Sequence, residues 1–166
     1  MAELTNLESK LGEVVGLAMA AQDATQKVAK LAQEDGDDEL VGTLEHMRSE
    51  AKETEERGTK VASAFEGKKT AILDEAREVK QKAQEMMKSY LDQASDALDG
   101  FEFLTMAEAG EVGHWEILGT LNERAGKTEV KELVDWALPI QQRHLETVRR
   151  SSLELASEED PNETSS

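Results

Sequence analysis

Apolar residues recur along this chain every three or four positions, the spacing that lines one face of an α-helix. The first run (Leu7, Leu11, Val14, Ala18, Val28 and Ala32 among its members) predicts a helix from Thr5 to Gln33, with Thr5 or Asn6 as N-cap and Glu8 in the first turn. The turn "EDGDD" (34–38) leads into a second helix over Asp38–Phe65, carried by Leu40, Leu44, Met47, Ala51, Val61 and Phe65. A thinner, more polar stripe predicts a third helix, or two shorter ones, over Thr70–Leu98. Asp99-Gly100 is expected to break that pattern ahead of a helix over Phe101–Arg124, closed by Gly126 as C-cap. A last helix, capped by Thr128, runs to about Ala156 and contains Pro139, which is expected to kink it.

Some positions in these stripes are polar. In the fourth helix Glu111 falls in line with Leu104 and Leu118, and His114 follows in the pattern Glu-x-x-His. In the fifth, Gln141 aligns with Val134 and Val148, giving Gln-x-x-His with His144. Gln22 aligns with Val15 and Ala29 in the first. The second helix presents His46, Glu50 and Glu53 at i, i+4 and i+7 beside its apolar stripe, a solvated charged face or one side of a metal site. A buried carboxylate is expensive unless something pairs with it, so Glu111 either meets a metal or a partner, or the helix turns it outward.

Composition narrows the class. Ala, Glu, Lys and Leu dominate, β-branched runs are scarce, and two prolines interrupt 166 residues, which points to one all-α domain over 1–156 with an acidic tail expected to be disordered over 157–166. The formal net charge of −17 disfavours nucleic acid and anionic membrane as partners. There is no cysteine, hence neither a disulfide framework nor thiolate chemistry. "MAELTNLESK" lacks the basic and apolar regions of a secretory leader, and the expected location is the cytoplasm. No glycine-rich phosphate loop or nucleophile signature is present, so whether the chain is an enzyme stays open.

"GHWEILGTLNERAG" (113–126) followed by "EVKELVDWALPIQQRHLETVRR" (129–150) resembles the second half of the bacterial stress-induced ferritin-like proteins of unknown function. "AAQDATQKVAKLA" (20–32) is similar to that family's first helix, and the polar segment beginning "AILDEAREVKQKAQ" (71–84) fits its link between helices two and three. The resemblance implies a ferritin-like antiparallel four-helix bundle with a long helical crossover between helices two and three, dimeric as the family usually is. It also implies inward carboxylates from two helices and Glu-x-x-His pairs from the other two. Several positions depart from that pattern: Gln22 stands for a Glu, Gly113 for the Glu before the histidine, Gln141 and Gln142 for acids, and Glu53 for a histidine.

Two readings follow. In the first, an altered centre binds Fe, Mn or Zn through Glu50, Glu53, Glu111, His114 and His144, with His46 and Gln141 as outer candidates; the missing acids leave charge for one divalent ion rather than two. In the second, the same bundle is a non-catalytic stress-protection or interaction protein whose polar core residues bond one another. A helix-on-demand chain, suggested by residues 50–98, is opposed by Phe101, Phe103, Trp115 and Trp136, which call for a packed core.

Overall fold

A computed structural model describes residues 2–164 and contains five helices with no strand among them: α1 (Asn6–Glu34), α2 (Asp38–Ala62), α3 (Lys69–Leu91), α4 (Ala97–Ala125) and α5 (Thr128–Ser157). Residues 158–164 follow α5 without further helix. Met1, and Ser165 and Ser166 at the end of the expected tail, lie outside the described residues.

Helix ends follow from local chemistry. Thr5 and Glu8 form a reciprocal capping box, the Thr5 hydroxyl accepting from Glu8 N at 3.2 Å and Glu8 Oε2 accepting from Thr5 N at 2.8 Å. Gly126 takes the left-handed conformation (φ 66°) that ends α4. Asn122 then closes the turn, donating to Lys127 O (2.9 Å) and accepting from Lys127 N (3.1 Å). Lys127 therefore occupies the cap position of α5, and Thr128 is the first helical residue.

Three expected boundaries are corrected. α2 ends at Ala62, short of Phe65, and α3 ends at Leu91 rather than running to Leu98. Asp99-Gly100 does not break a helix; it lies in the first turn of α4. Asp96 is the N-cap, accepting from Asp99 N at 2.9 Å, while Asp99 Oδ2 receives Ser95 N and Oγ at 2.9 and 3.0 Å. Asp99, read from sequence as part of a breaker, instead helps Asp96 to start the helix.

The short α1–α2 and α4–α5 connections make each pair antiparallel. α4 is antiparallel to α1 as well: Lys10 meets His114 near one end and Asp35 Oδ2 accepts from Ala97 N (2.8 Å) at the other. α5 packs antiparallel on α2, with the Arg57 guanidinium 4.2 Å above the Trp136 ring. α3 runs parallel to α1 along its outer side, Gly12 lying against Ile72 and Asp23 bonding Gln84 at 2.7 Å. α1, α2, α5 and α4 thus form a ring of four, and α3 carries the chain back between α2 and α4. Glycine permits the α1–α3 approach: a Cβ on Gly12 would stand 2.7 Å from the Ile72 carbonyl oxygen, and one on Gly16 would collide with that of Ala76.

The interior has two apolar clusters. One gathers Leu11, Val14, Ile72, Trp115, Leu118 and Ala137; the other gathers Val28, Leu44, Met87, Phe101, Leu104 and Val148. The polar layer described next lies between them along α4 and α5.

Candidate functional site

The buried face of α4 is spaced Leu104, Glu108, Glu111, Trp115 and Leu118, so two carboxyls occupy positions that helical geometry turns inward. On α5 the inward run is Ala137, Gln141, His144 and Val148. The two runs meet at mid-bundle, where Glu108, Glu111, Gln141 and His144 are at most 4% exposed. Glu108 Oε2, Glu111 Oε2 and Gln141 Oε1 have no hydrogen-bond partner there. Three orphaned oxygens at one level are costly, since each forfeits its hydration without replacement.

His144 links this layer to the α2 face. Its Nε2 is 3.1 Å from Glu50 Oε1, and its Nδ1 is 3.8 Å from Glu108 Oε2. Glu50 also receives Arg143, and its Oε1 lies 3.2 Å from Nε2 of the exposed His46. Burial would raise the Glu50 carboxyl, but bonds from Arg143 and His144 outweigh it and hold the group below its ordinary value. Burial pushes the His144 imidazole down against the pull of Glu50. Its neutral ring therefore presents N–H to the Glu50 carboxylate from Nε2 and a lone pair toward Glu108 from Nδ1. Burial raises Glu108 to about 8, and it raises Glu111 well above the ordinary range with the Glu108 charge adding to it.

The expected site residues separate. Glu50, Glu111 and His144 come to the layer or its edge. Glu53 lies half-exposed on α2 and pairs with Arg57 at 2.9 Å. His114 turns toward α1, its Nδ1 3.2 Å from Glu13 Oε2 and 3.3 Å from Lys10 Nζ. Gln22 donates to Glu55 at 2.5 Å and to its own helix, away from the layer. Gln141 joins the layer, and His46 stays outside it. Glu108 was not among the expected residues, although it stands four after Leu104 and three before Glu111, a spacing that was available.

A cavity of about 300 Å³ between α1, α3 and α4 opens toward solvent and reaches Glu111. Its walls include Ala20, Ala24, Met86, Phe103 and Met106, together with Lys82 and His114. Among the described residues no three His, Asp or Glu side chains are gathered so as to hold a metal ion. No helix there is long and apolar enough to cross a membrane. No protein-family model matches the chain, nor does any curated protein or solved structure.

Proposed function

We propose that this chain is a ferritin-like bundle that takes up a single divalent transition-metal ion, Fe, Mn or Zn, in its polar layer. The observation that carries the reading is the set of orphaned buried oxygens on Glu108, Glu111 and Gln141 beside His144. Two carboxylates balance one dication, and an imidazole with an amide oxygen complete a donor set of ordinary chemistry. A second ion lacks ligands, because Gln22 and Gln141 replace acids and Glu53 and His114 are engaged elsewhere. With no three donors gathered, the side chains would rotate to take the ion. The bound ion would supply Lewis-acid or redox chemistry, and the cavity reaching Glu111 offers a small molecule a path to it.

The test is metal analysis of purified protein, with calorimetric titration of Zn²⁺, Mn²⁺ and anaerobic Fe²⁺. One ion per chain is expected, lost in Glu108→Gln and His144→Ala and kept in Glu53→Gln and His114→Ala. No binding by the wild type would reject the reading. The second reading, a bundle without metal, is favoured by the satisfied pairs Gln22–Glu55 and His114–Glu13 and would then stand.

A further inference from the structure

The cavity between α1, α3 and α4 is elongated, and the helix registers fix which residues stand at its two ends. Gly16 lies against Val79, Asp23 bonds Gln84, and Gly100 packs on Val28 from the α4 side. Leu17, Val79 and Glu111 are therefore at one end, and Ala24, Met87 and Phe103 at the other. The helical rise from Val79 to Met87 gives a length of about 12 Å. A volume of about 300 Å³ is that of a small-molecule site at the lower limit of the usual range.

Along that length the walls are alkyl, thioether and aromatic, with Met86 and Met106 57% and 45% exposed at the mouth. Gly110 keeps the middle open, since a Cβ there would meet nothing within 4 Å. Glu111 is the one carboxyl among the lining residues. It is buried, and its Oε2 has no hydrogen-bond partner. The buried end of an apolar channel thus holds an acceptor that lacks a donor, and buried acceptors are rarely left so.

Charge selects the head group of an occupant. A carboxylate would face the Glu111 oxygen and the field of a chain of net charge −17. An ammonium would pass the exposed Lys82 at the rim and shed its hydration for a single acceptor. A hydroxyl sheds least, and it donates to the carboxyl whether or not that group carries a proton. We propose that the cavity binds an unbranched primary alcohol, its hydroxyl donating to Glu111 and its chain lying along Met86, Met87, Phe103 and Met106. At roughly 1.2 Å per bond, as in an extended backbone, an alcohol of about eight carbons spans about 10 Å and fits the length. Unbranched methionine side chains adjust to such a flexible chain. The walls and the acceptor are complete without an ion, so the site stands or falls apart from the metal reading.

The test titrates n-octanol into the chelator-treated full chain, read by the carbon-13 methyl resonances of its methionines. Saturable shifts are expected at Met86, Met87 and Met106, with Met47, buried on α2, unmoved. Octanoate and octylammonium should bind about tenfold more weakly or worse. Gly110→Leu fills the channel without meeting another atom at its Cβ, so it should abolish the shifts with unchanged helical circular dichroism. Glu111→Leu should weaken octanol about tenfold, while Glu111→Gln, which keeps an acceptor, should bind it as wild type does. No saturable shift in wild type would overturn the proposal, as would undiminished binding in Gly110→Leu. Equal binding of the three amphiphiles would overturn it too, because Glu111 would then select nothing. Octanol saturation in a protein that takes up no metal would keep this site and reject the ion, and metal uptake without octanol shifts would do the reverse.

Discussion

His144 Nε2 stands 3.1 Å from Glu50 Oε1 and so ties α5 to α2 at the level where the two apolar clusters part. Removing the imidazole leaves a gap in a buried layer and strips Glu50 of one of its two strongest partners. His144→Ala should therefore lose about 2–4 kcal/mol of stability in denaturant unfolding. His114→Ala, at a half-exposed ring on the α1–α4 seam, should lose less than about 1 kcal/mol.

The same pair sets the acid limb. Glu50 sits below its ordinary value, so its contribution is complete above about pH 4.5 and is lost as pH falls through the folded value. His144 is also depressed, so below about pH 6.5 the unfolded chain takes up a proton that the folded chain refuses. Both effects weaken the fold toward acid. Thermal unfolding between pH 7 and 4 should show a shallower decline in Glu50→Gln/His144→Gln than in wild type.

Glu108 and Glu111 act in the opposite direction. Their folded values are raised, Glu108 to about 8 and Glu111 well above the ordinary range, so above about pH 4.5 the metal-free folded state holds protons that the unfolded chain has released. The stabilising effect is full below pH 4.5 and lost as pH rises through the folded values, with a slope approaching about 1.4 kcal/mol per pH unit for each such group. Chelator-treated wild type should thus lose stability from pH 6 to 9, and Glu108→Gln should flatten the curve. An unchanged slope in that variant would place the titrating groups elsewhere.

Much of the fold is legible from apolar spacing, because long amphipathic helices repeat their signal many times. The five helices, Thr5 as one of two candidate N-caps, and the Gly126 cap were all readable. The α4 start was not, because Asp99-Gly100 carries turn propensity that the Asp96 cap and the packing of Gly100 on Val28 override. The layer was half legible. Glu111 and His144 follow from their stripes, but a side chain at a stripe edge goes to whichever neighbour offers a charge. Glu13 and Lys10 on α1 draw His114 outward, and Arg57 draws Glu53. Glu13 and Lys10 lie on another helix, which periodicity within α4 does not reveal, whereas Arg57 stands four residues after Glu53 on α2, a spacing that the sequence carries.

Gly16 and Gly42 offer a matched contrast within helices. A Cβ at Gly42 meets nothing within 4 Å, so Gly42→Ala should stabilise by about 0.5–1 kcal/mol through helix propensity. At Gly16 the obstacle is the backbone carbonyl of Ala76, which cannot rotate away as a side chain would. Gly16→Ala should destabilise by about 1–3 kcal/mol as α1 and α3 are forced apart. Equal behaviour of the two variants in urea unfolding would mean that α3 does not lie on α1 as described.

Metal should reverse the alkaline trend. A dication binds the deprotonated carboxyls, so its uptake expels the protons that Glu108 and Glu111 hold near neutrality. Binding should therefore tighten with pH, and the stabilisation should grow with it. At a free metal concentration one hundred times the dissociation constant, the native state gains about 2.7 kcal/mol. The rise in unfolding temperature on adding Zn²⁺ or Mn²⁺ should accordingly be larger at pH 8 than at pH 6, with proton release measurable in weakly buffered solution. Glu108→Gln removes one of the two titrating ligands and should lose most of the rise and weaken its pH dependence. A rise that persists in this variant would assign the ion to another part of the acidic surface, and no rise in wild type would leave the layer as two neutral acids in a bundle held together without metal.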